Sequence, residues 1–171
     1  MYALLYRTLA PLFLSAWIGF ALADPGESGR DWAQVGDSAR AHGLPVVVVV
    51  TGADCGYCER LRREFLTDPA TRVLLSERAV TREFDRESRG KITDFDGERL
   101  RARLFLSRYE IFATPTLLFL GPDGETLAPP LVGYNDPESY RELVGERLSL
   151  AQDAMLVASD RQSPVLATTA P

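Results

Sequence analysis

The stretch Val46-Val47-Val48-Val49-Val50-Thr51-Gly52-Ala53-Asp54-Cys55-Gly56-Tyr57-Cys58 carries the strongest structural signal in this chain. Its first six residues show no polar alternation, which predicts a central strand covered on both faces. The only two cysteines of the 171 residues follow, and they open a segment that reads as a helix. A strand that leads into a Cys-x-x-Cys pair at a helix start is typical of a dithiol–disulfide redox site.

The cysteine pair is predicted to be reactive rather than structural. Two intervening residues leave the sulfurs near enough to bond, and a helix start supplies unpaired N–H groups and a positive dipole end that stabilise a thiolate at Cys55. As a structural cross-link the pair would close a loop of only four residues, which adds roughly 2 kcal/mol to the free energy of unfolding in the entropic model. The sequence therefore favours thiol–disulfide exchange.

The N-terminus predicts export. Arg7 is the only charged residue before Asp24, and Ala21-Leu22-Ala23 has the small-x-small pattern of a signal peptidase site. The uncharged run of residues 8–23 is 16 residues long, short of the roughly 20 that a spanning helix needs. We expect residues 1–23 to be a cleaved signal peptide and the protein to be periplasmic, with an uncleaved membrane anchor as the alternative.

Length and charge indicate one acidic domain. Without residues 1–23 the chain keeps 18 basic and 24 acidic residues, a net charge of −6. Such a domain lacks the excess of positive charge with which proteins bind the phosphates of nucleic acid. The remaining length is sufficient for a single hydrophobic core that needs no disulfides or metal sites to be stable. We expect a monomer.

The sequence predicts a mixture of helices and strands, with Asp31 and Asp136 as candidate helix caps. Residues 86–97 carry no clear pattern. From residue 156 the chain is predicted to be a disordered tail, which leaves 24–155 as the folded domain. The first half of the chain is predicted to form a helix over 32–41, a strand over 46–51, a helix that begins at the cysteines and a further helix that ends at residue 76. A strand over 79–84 and a helix over 98–109 follow. The chain then forms two strands, over 117–120 and 125–132, and a terminal helix.

This order predicts an α/β fold with a mixed central sheet and helices on both faces. With the cysteines at the exit of the first strand, it closely resembles the thioredoxin fold over residues 32–148. The cysteine motif, Thr114-Pro115-Thr116 before an apolar strand and Val132-Gly133-Tyr134 before the last helix carry the resemblance. Within that superfamily the chain is most similar to the exported SoxW-type thioredoxin-related proteins, through Thr93-Asp94-Phe95-Asp96-Gly97.

The resemblance implies a role for each site residue. Cys55 would be the exposed nucleophile and Cys58 the buried resolving thiol. Pro115 would be a cis-proline against the pair, leaving the backbone of Thr114 free to accept an extended substrate as an added strand. An ordinary strand-start proline is the alternative for Thr114-Pro115.

Three further residues would line the same groove. Gly56 and Tyr57 lie between the cysteines, and Gly133 would leave room for a substrate backbone. An ordinary turn at 132–134 is the alternative for Gly133.

Two positions depart from the family pattern. Asp54 stands where many thioredoxins have tryptophan, and its carboxylate either opposes the Cys55 thiolate or caps the helix. Val49 stands where reducing thioredoxins bury an acid beneath the resolving cysteine. Asp54 and Glu59 are expected to face solvent, so the proton of Cys58 has no obvious acceptor.

Metal and cofactor roles are disfavoured by ligand count. Covalent c-type haem needs a histidine where Glu59 stands. Tetrahedral zinc needs two more ligands, and His42 is the only histidine. A copper site would need Met or His residues as additional ligands, and Met155 is the only methionine after the predicted signal peptide. We expect no cofactor.

The direction of electron flow remains open at the level of the sequence. The resemblance implies a reductant of disulfide-containing exported proteins, recharged by a membrane thiol-electron transporter. A disulfide-forming oxidant that passes electrons to a quinone-linked partner, and a protein-binding module with little turnover, are the alternatives.

Overall fold

The computed structural model describes residues 30–162. Twelve elements follow one another along this part of the chain. They are α1 (Trp32–His42), β1 (Val46–Thr51), α2 (Gly56–Leu61), a π-helical turn (Arg62–Leu66), α3 (Pro69–Arg78), β2 (Val80–Asp85), β3 (Lys91–Thr93), β4 (Arg99–Arg101), α4 (Ala102–Arg108), β5 (Thr116–Leu120), β6 (Thr126–Val132) and α5 (Pro137–Gln162).

The main sheet has four strands in the order β2-β1-β5-β6. β1 pairs in parallel with β2, with Val46 opposite Val80, and antiparallel with β5, with Val46 opposite Leu120. β6 is one of the two edge strands, and its register shifts against β5 near Pro129-Pro130, which lack the backbone N–H groups that the ladder needs. The predicted mixed sheet, with its parallel pair and late hairpin, is confirmed.

Both faces of the sheet are covered, as the unbroken run of valines predicts. Val47 and Val49 point into one apolar cluster with Phe65, Tyr140 and residues of α5. Val46, Val48 and Val50 point into a second cluster on the opposite face, centred on Trp32. Because successive side chains of a strand alternate between faces, one strand supplies both cores.

Aromatic rings fill the second cluster. Trp32 is fully buried and lies 5.0 Å from Phe105, 5.8 Å from Phe84 and 5.7 Å from Phe95 between ring centroids. Trp32 opens α1, whose N-cap Asp31 accepts a hydrogen bond from the Gln34 N–H. The predicted cap therefore orients the helix that carries the central ring.

Residues 86–101 contain a hairpin that the sequence did not predict. β3 and β4 pair with Ile92 opposite Leu100, and α4 begins only at Ala102. The prediction of a helix from residue 98 is therefore wrong over its first residues. Pairing across the hairpin outweighs the helical spacing of the apolar residues there, because it buries Ile92 against the second cluster.

Asp94 joins this hairpin to α4. Its buried carboxylate accepts hydrogen bonds from the Phe95 N–H at 2.9 Å and from the Arg108 guanidinium at 2.5 Å. The Asp94 N–H donates to the Glu98 carbonyl across the turn. The segment 93–97 thus closes the hairpin and ties it to the following helix.

The terminal helix is longer than predicted. α5 runs to Gln162, so residues 156–162 are helical and the predicted start of a disordered tail at 156 is wrong. Tyr140, Val144, Leu148 and Ala151 are buried along one face. Residues 163–171 and the predicted signal peptide, 1–23, lie outside the described residues. Between residues 30 and 162 no helix is both long and apolar enough to cross a membrane.

Candidate active site

Cys55 and Cys58 form a disulfide at the start of α2, with an S–S distance of 2.04 Å. Cys55 is the N-cap of the helix, and its Sγ accepts a hydrogen bond from the Cys58 N–H at 3.1 Å. Cys55 is partly exposed, whereas Cys58 is fully buried. The pair therefore presents one sulfur to solvent and keeps the other inside the fold.

Asp54 does not cap the helix. Cys55 occupies the capping position, and Asp54 lies one residue earlier with a φ of 50° and an exposed side chain. An aspartate tolerates this left-handed conformation better than most residues. The capping alternative is wrong, and the exposure predicted for Asp54 and Glu59 is confirmed.

The loop before Cys55 is packed against two other loops. A Cβ atom at Gly52 would lie 3.2 Å from both Glu87 Oε2 and Thr114 Oγ1, so the absence of a side chain lets the three segments meet. The Ala53 N–H donates to Glu87 Oε2 at 2.9 Å. Sequence reasoning missed Glu87, because it lies in the polar stretch 86–97 that shows no periodic pattern.

Thr114 and Pro115 lie directly against the cysteine pair. Their peptide bond is cis, as the resemblance implied, and the Thr114 hydroxyl donates to Cys55 Sγ at 3.5 Å. The Pro115 carbonyl accepts from the Gly133 N–H at 2.8 Å. The structure therefore brings Cys55, Thr114, Pro115 and Gly133 together from three separate parts of the chain.

Three large exposed apolar side chains lie in the segments that carry the site residues. Tyr57 is 59% exposed on the first turn of α2, and Val132, which pairs with Thr116, is 64% exposed. Phe112, two residues before Thr114, is 86% exposed. Gly56 and Gly133 have no heavy atom within 4 Å of a Cβ position, which leaves both backbones open to an approaching chain.

Arg60 ties the active-site helix to the loop after β6. Its guanidinium donates to the Asn135 carbonyl at 3.1 Å, pairs with Glu64 at 3.2 Å and lies 5.6 Å from the ring centre of Tyr134. Hydrogen bonds from Arg60 and Arg63 lower the pKa of Glu64, and burial raises the pKa of Tyr134. The contact of Arg60 with this loop shows no sequence signal, since Tyr134 and Asn135 lie more than 70 residues further along the chain.

The position beneath Cys58 is apolar, as predicted from Val49. Val49 is buried in one cluster with Leu61 and Phe65. Among residues 30–162 Asp94 is the single fully buried carboxylate, and it pairs with Arg108 on the other side of the sheet. The described residues also hold no group of three or more His, Cys, Asp or Glu side chains that could bind a metal ion.

A sequence model of the thioredoxin-like domain family matches residues 34–147. The chain belongs to the thioredoxin-like family. The matched segment starts in α1, ends in α5 and contains every element that positions the cysteine pair. Among curated proteins, none matches the chain.

Solved structures share this fold at low sequence identity. A thioredoxin from Thermus thermophilus has a TM-score of 0.52 and 23% identity, covering 66% of this chain and 80% of its own. The oxidised C-terminal domain of Neisseria meningitidis DsbD has a TM-score of 0.51 and 18% identity, covering 67% and 90%. The DsbH oxidoreductase has a TM-score of 0.53 and 15% identity, covering 77% and 93%. At these identities the likeness supports the thioredoxin fold alone.

Proposed function

We propose that this thioredoxin-like protein is a periplasmic thiol–disulfide oxidoreductase that reduces disulfides of exported proteins. The observation that carries the proposal is the Cys55–Cys58 disulfide at a helix start, with Cys55 partly exposed and accepting hydrogen bonds from the Cys58 N–H and the Thr114 hydroxyl. In the reduced protein the same two donors would face a Cys55 thiolate. Donors to a charged acceptor stabilise it more than they stabilise a neutral sulfur.

The proposed reaction transfers two electrons from the dithiol to the target. The Cys55 thiolate attacks one sulfur of a target disulfide, forms a mixed disulfide and releases the first target thiolate. Cys58 then loses its proton and attacks Cys55 Sγ, which releases the second target thiolate and closes the Cys55–Cys58 bond. The target gains two thiols and the protein is oxidised.

The exposed apolar surface suits an unfolded or extended target. Tyr57, Phe112 and Val132 are exposed in the segments that carry Cys55, Thr114 and Gly133, and apolar side chains of a target can pack on them. The backbone near Thr114 offers strand-like pairing, and Gly133 leaves room for the incoming chain. We assign substrate binding to Gly56, Tyr57, Thr114, Pro115 and Gly133.

Export and the source of electrons complete the proposal. The N-terminal pattern supports a signal peptide over residues 1–23, and the segment 93–97 supports a SoxW-type protein. A reductant in an oxidising compartment must be recharged, so a membrane thiol-electron transporter is the proposed donor. N-terminal sequencing of the exported protein should start at Asp24, whereas a retained N-terminus in the membrane fraction would favour the anchor.

A trapping experiment tests the activity. In a Cys58→Ala variant the mixed disulfide cannot be resolved, so incubation with a small protein that has one exposed disulfide should accumulate a covalent adduct through Cys55. A Cys55→Ala variant is the matched control and should give no adduct, because Cys58 is buried. A folded Cys58→Ala protein that forms no adduct would contradict the proposal and favour a binding module.

The reduction potential tests the direction. Equilibration with defined thiol–disulfide buffers should give a value near that of thioredoxin, about −270 mV. A value near −120 mV would identify an oxidant and overturn the proposed direction while the site assignment stands.

A further inference from the structure

A basic groove lies at the β3–β4 hairpin, in an otherwise acidic protein. Residues 88–91 and 101–103 line an open cavity of about 450 Å³. Four of these residues, Arg89, Lys91, Arg101 and Arg103, carry positive charge, and all four are exposed. We call these seven residues the basic groove.

The positive charges of the basic groove are not neutralised by the fold. Within residues 30–162 these four side chains make no ion pair, whereas Arg40, Arg62 and Arg108 each pair with a carboxylate. Two acidic residues on either side of β3 make contacts elsewhere: Glu87 accepts from the Ala53 N–H and Asp94 pairs with Arg108. Residues 99–108 contain four arginines and no acidic residue, in a chain of net charge −5.

The strand register places like charges directly opposite each other. Lys91 lies directly opposite Arg101 in the hairpin. The next pair along the ladder, Ile92 and Leu100, packs against the second cluster. Opposed like charges destabilise a strand pair. Because no carboxylate in the described part of the fold pairs with Lys91 or Arg101, the binding of an anionic group from another molecule would relieve this repulsion.

The basic groove begins beside the active-site loop. Ser88, its first residue, directly follows Glu87, whose carboxylate binds the Ala53 N–H two residues before Cys55. The Arg86 N–H donates to the Thr51 carbonyl at the end of β1. A partner that reacts at Cys55 can therefore reach the groove with a short extended linker, since each residue spans roughly 3.3 Å.

We propose that the basic groove binds an acidic segment of the polypeptide partner that exchanges disulfides at Cys55. This inference rests on the proposed oxidoreductase function and names a property of its partner. Guanidinium groups bind carboxylates through paired hydrogen bonds, and charge complementarity next to a reactive site raises the rate of productive encounter. A concave groove suits side chains of a polypeptide better than a flat anionic membrane.

Three mixed-disulfide peptides test the proposal. Each carries one cysteine bonded to glutathione, a six-residue Gly/Ser linker and then four Glu, four Gln or four Lys residues. The reduced protein transfers two electrons to the bond, so that it releases glutathione and the peptide thiol and becomes the disulfide form. At low salt the Glu peptide should react about tenfold faster than the Gln peptide, and the ratio should fall towards one at high salt.

Matched variants separate the groove from the net charge. Lys91→Gln/Arg101→Gln removes two charges from the groove and should abolish the preference for the Glu peptide while leaving the rate with the Gln peptide unchanged. Arg72→Gln/Arg161→Gln removes two exposed charges elsewhere and should retain the preference. Because the first variant relieves like-charge repulsion, it should melt no lower than the wild type.

Fluorescence anisotropy of the labelled Glu peptide with the oxidised protein gives a readout that needs no turnover. Equal rates for the Glu and Gln peptides, or equal loss of preference in both double variants, would overturn the inference but not the proposed function. Failure to reduce any peptide would instead contradict the proposed function. Loss of binding to phosphatidylglycerol vesicles in the groove variant, with no effect on peptides, would replace the acidic partner with a membrane surface.

Discussion

At the scale of single residues, the site depends on neighbours that are distant in sequence. Cys55 receives its side-chain hydrogen bond from Thr114, and its loop is fastened by Glu87. The cysteines could be assigned from their spacing alone, since the Cys-x-x-Cys pattern is local. Glu87 and Arg60 could not be assigned, because each acts through a contact that exists only after the chain has folded.

A Thr114→Val variant tests the contribution of the hydroxyl. Valine keeps the shape but cannot donate to Cys55 Sγ, so the thiolate loses roughly 1 kcal/mol of stabilisation. Alkylation of the reduced protein by iodoacetamide at pH 7 should slow about fivefold, and the reduction potential should become roughly 20 mV more negative.

The matched control is Thr126→Val, which removes an exposed hydroxyl on β6. It should alkylate at the rate of the wild type. Equal rates for Thr114→Val and the wild type would show that the 3.5 Å contact does not stabilise the thiolate.

At the scale of elements, local signals predicted most boundaries. β1 coincides with the predicted strand, and the predicted caps Asp31 and Asp136 accept hydrogen bonds from backbone N–H groups of their helices, as Asp68 does in α3. The β3–β4 hairpin escaped prediction because its strands have three residues each, too few for a period of two to show. Their pairing and the Asp94–Arg108 contact decide their conformation.

The Asp68 cap predicts a pH dependence of stability. A hydrogen bond from the Thr71 N–H, together with the Arg141 guanidinium, lowers the pKa of Asp68 in the folded protein. A lowered folded-state pKa stabilises the fold above the unfolded value of about 3.9, and this contribution is lost as the pH falls through the folded value.

An Asp68→Asn variant keeps an oxygen acceptor for Thr71 but cannot titrate. Between pH 5 and pH 2 the free energy of unfolding should fall less steeply for this variant than for the wild type, as measured by urea unfolding. Asp153→Asn, on the exposed face of α5, should follow the wild type. Parallel curves for all three proteins would contradict the assignment.

At the scale of the whole molecule, stability comes from two apolar clusters on opposite faces of one sheet. The disulfide links residues only three positions apart and crosses neither cluster. The fold is therefore expected to persist when the bond is reduced, as a redox protein requires.

Reduction should lower the free energy of unfolding by about 2 kcal/mol, the entropic contribution of a four-residue loop. The midpoint of thermal unfolding should fall by roughly 5–10 °C, measured by circular dichroism with and without reductant. A Cys55→Ala/Cys58→Ala variant should melt at one temperature under both conditions. A reduced protein that melts higher than the oxidised one would mean that the fold stabilises the dithiol, as in an oxidant.

The sequence by itself determined the fold class, the reactive pair and most of the helices and strands, because these depend on periodicity, caps and the spacing of two cysteines. It did not determine the length of α5, whose buried face ends at Ala151 while the helix continues to Gln162. The tertiary structure decided what surrounds Cys55: Thr114 from one loop, Glu87 from another and the basic groove beside them. These contacts join segments tens of residues apart, and only the packing of the sheet brings those segments to the same end of the molecule.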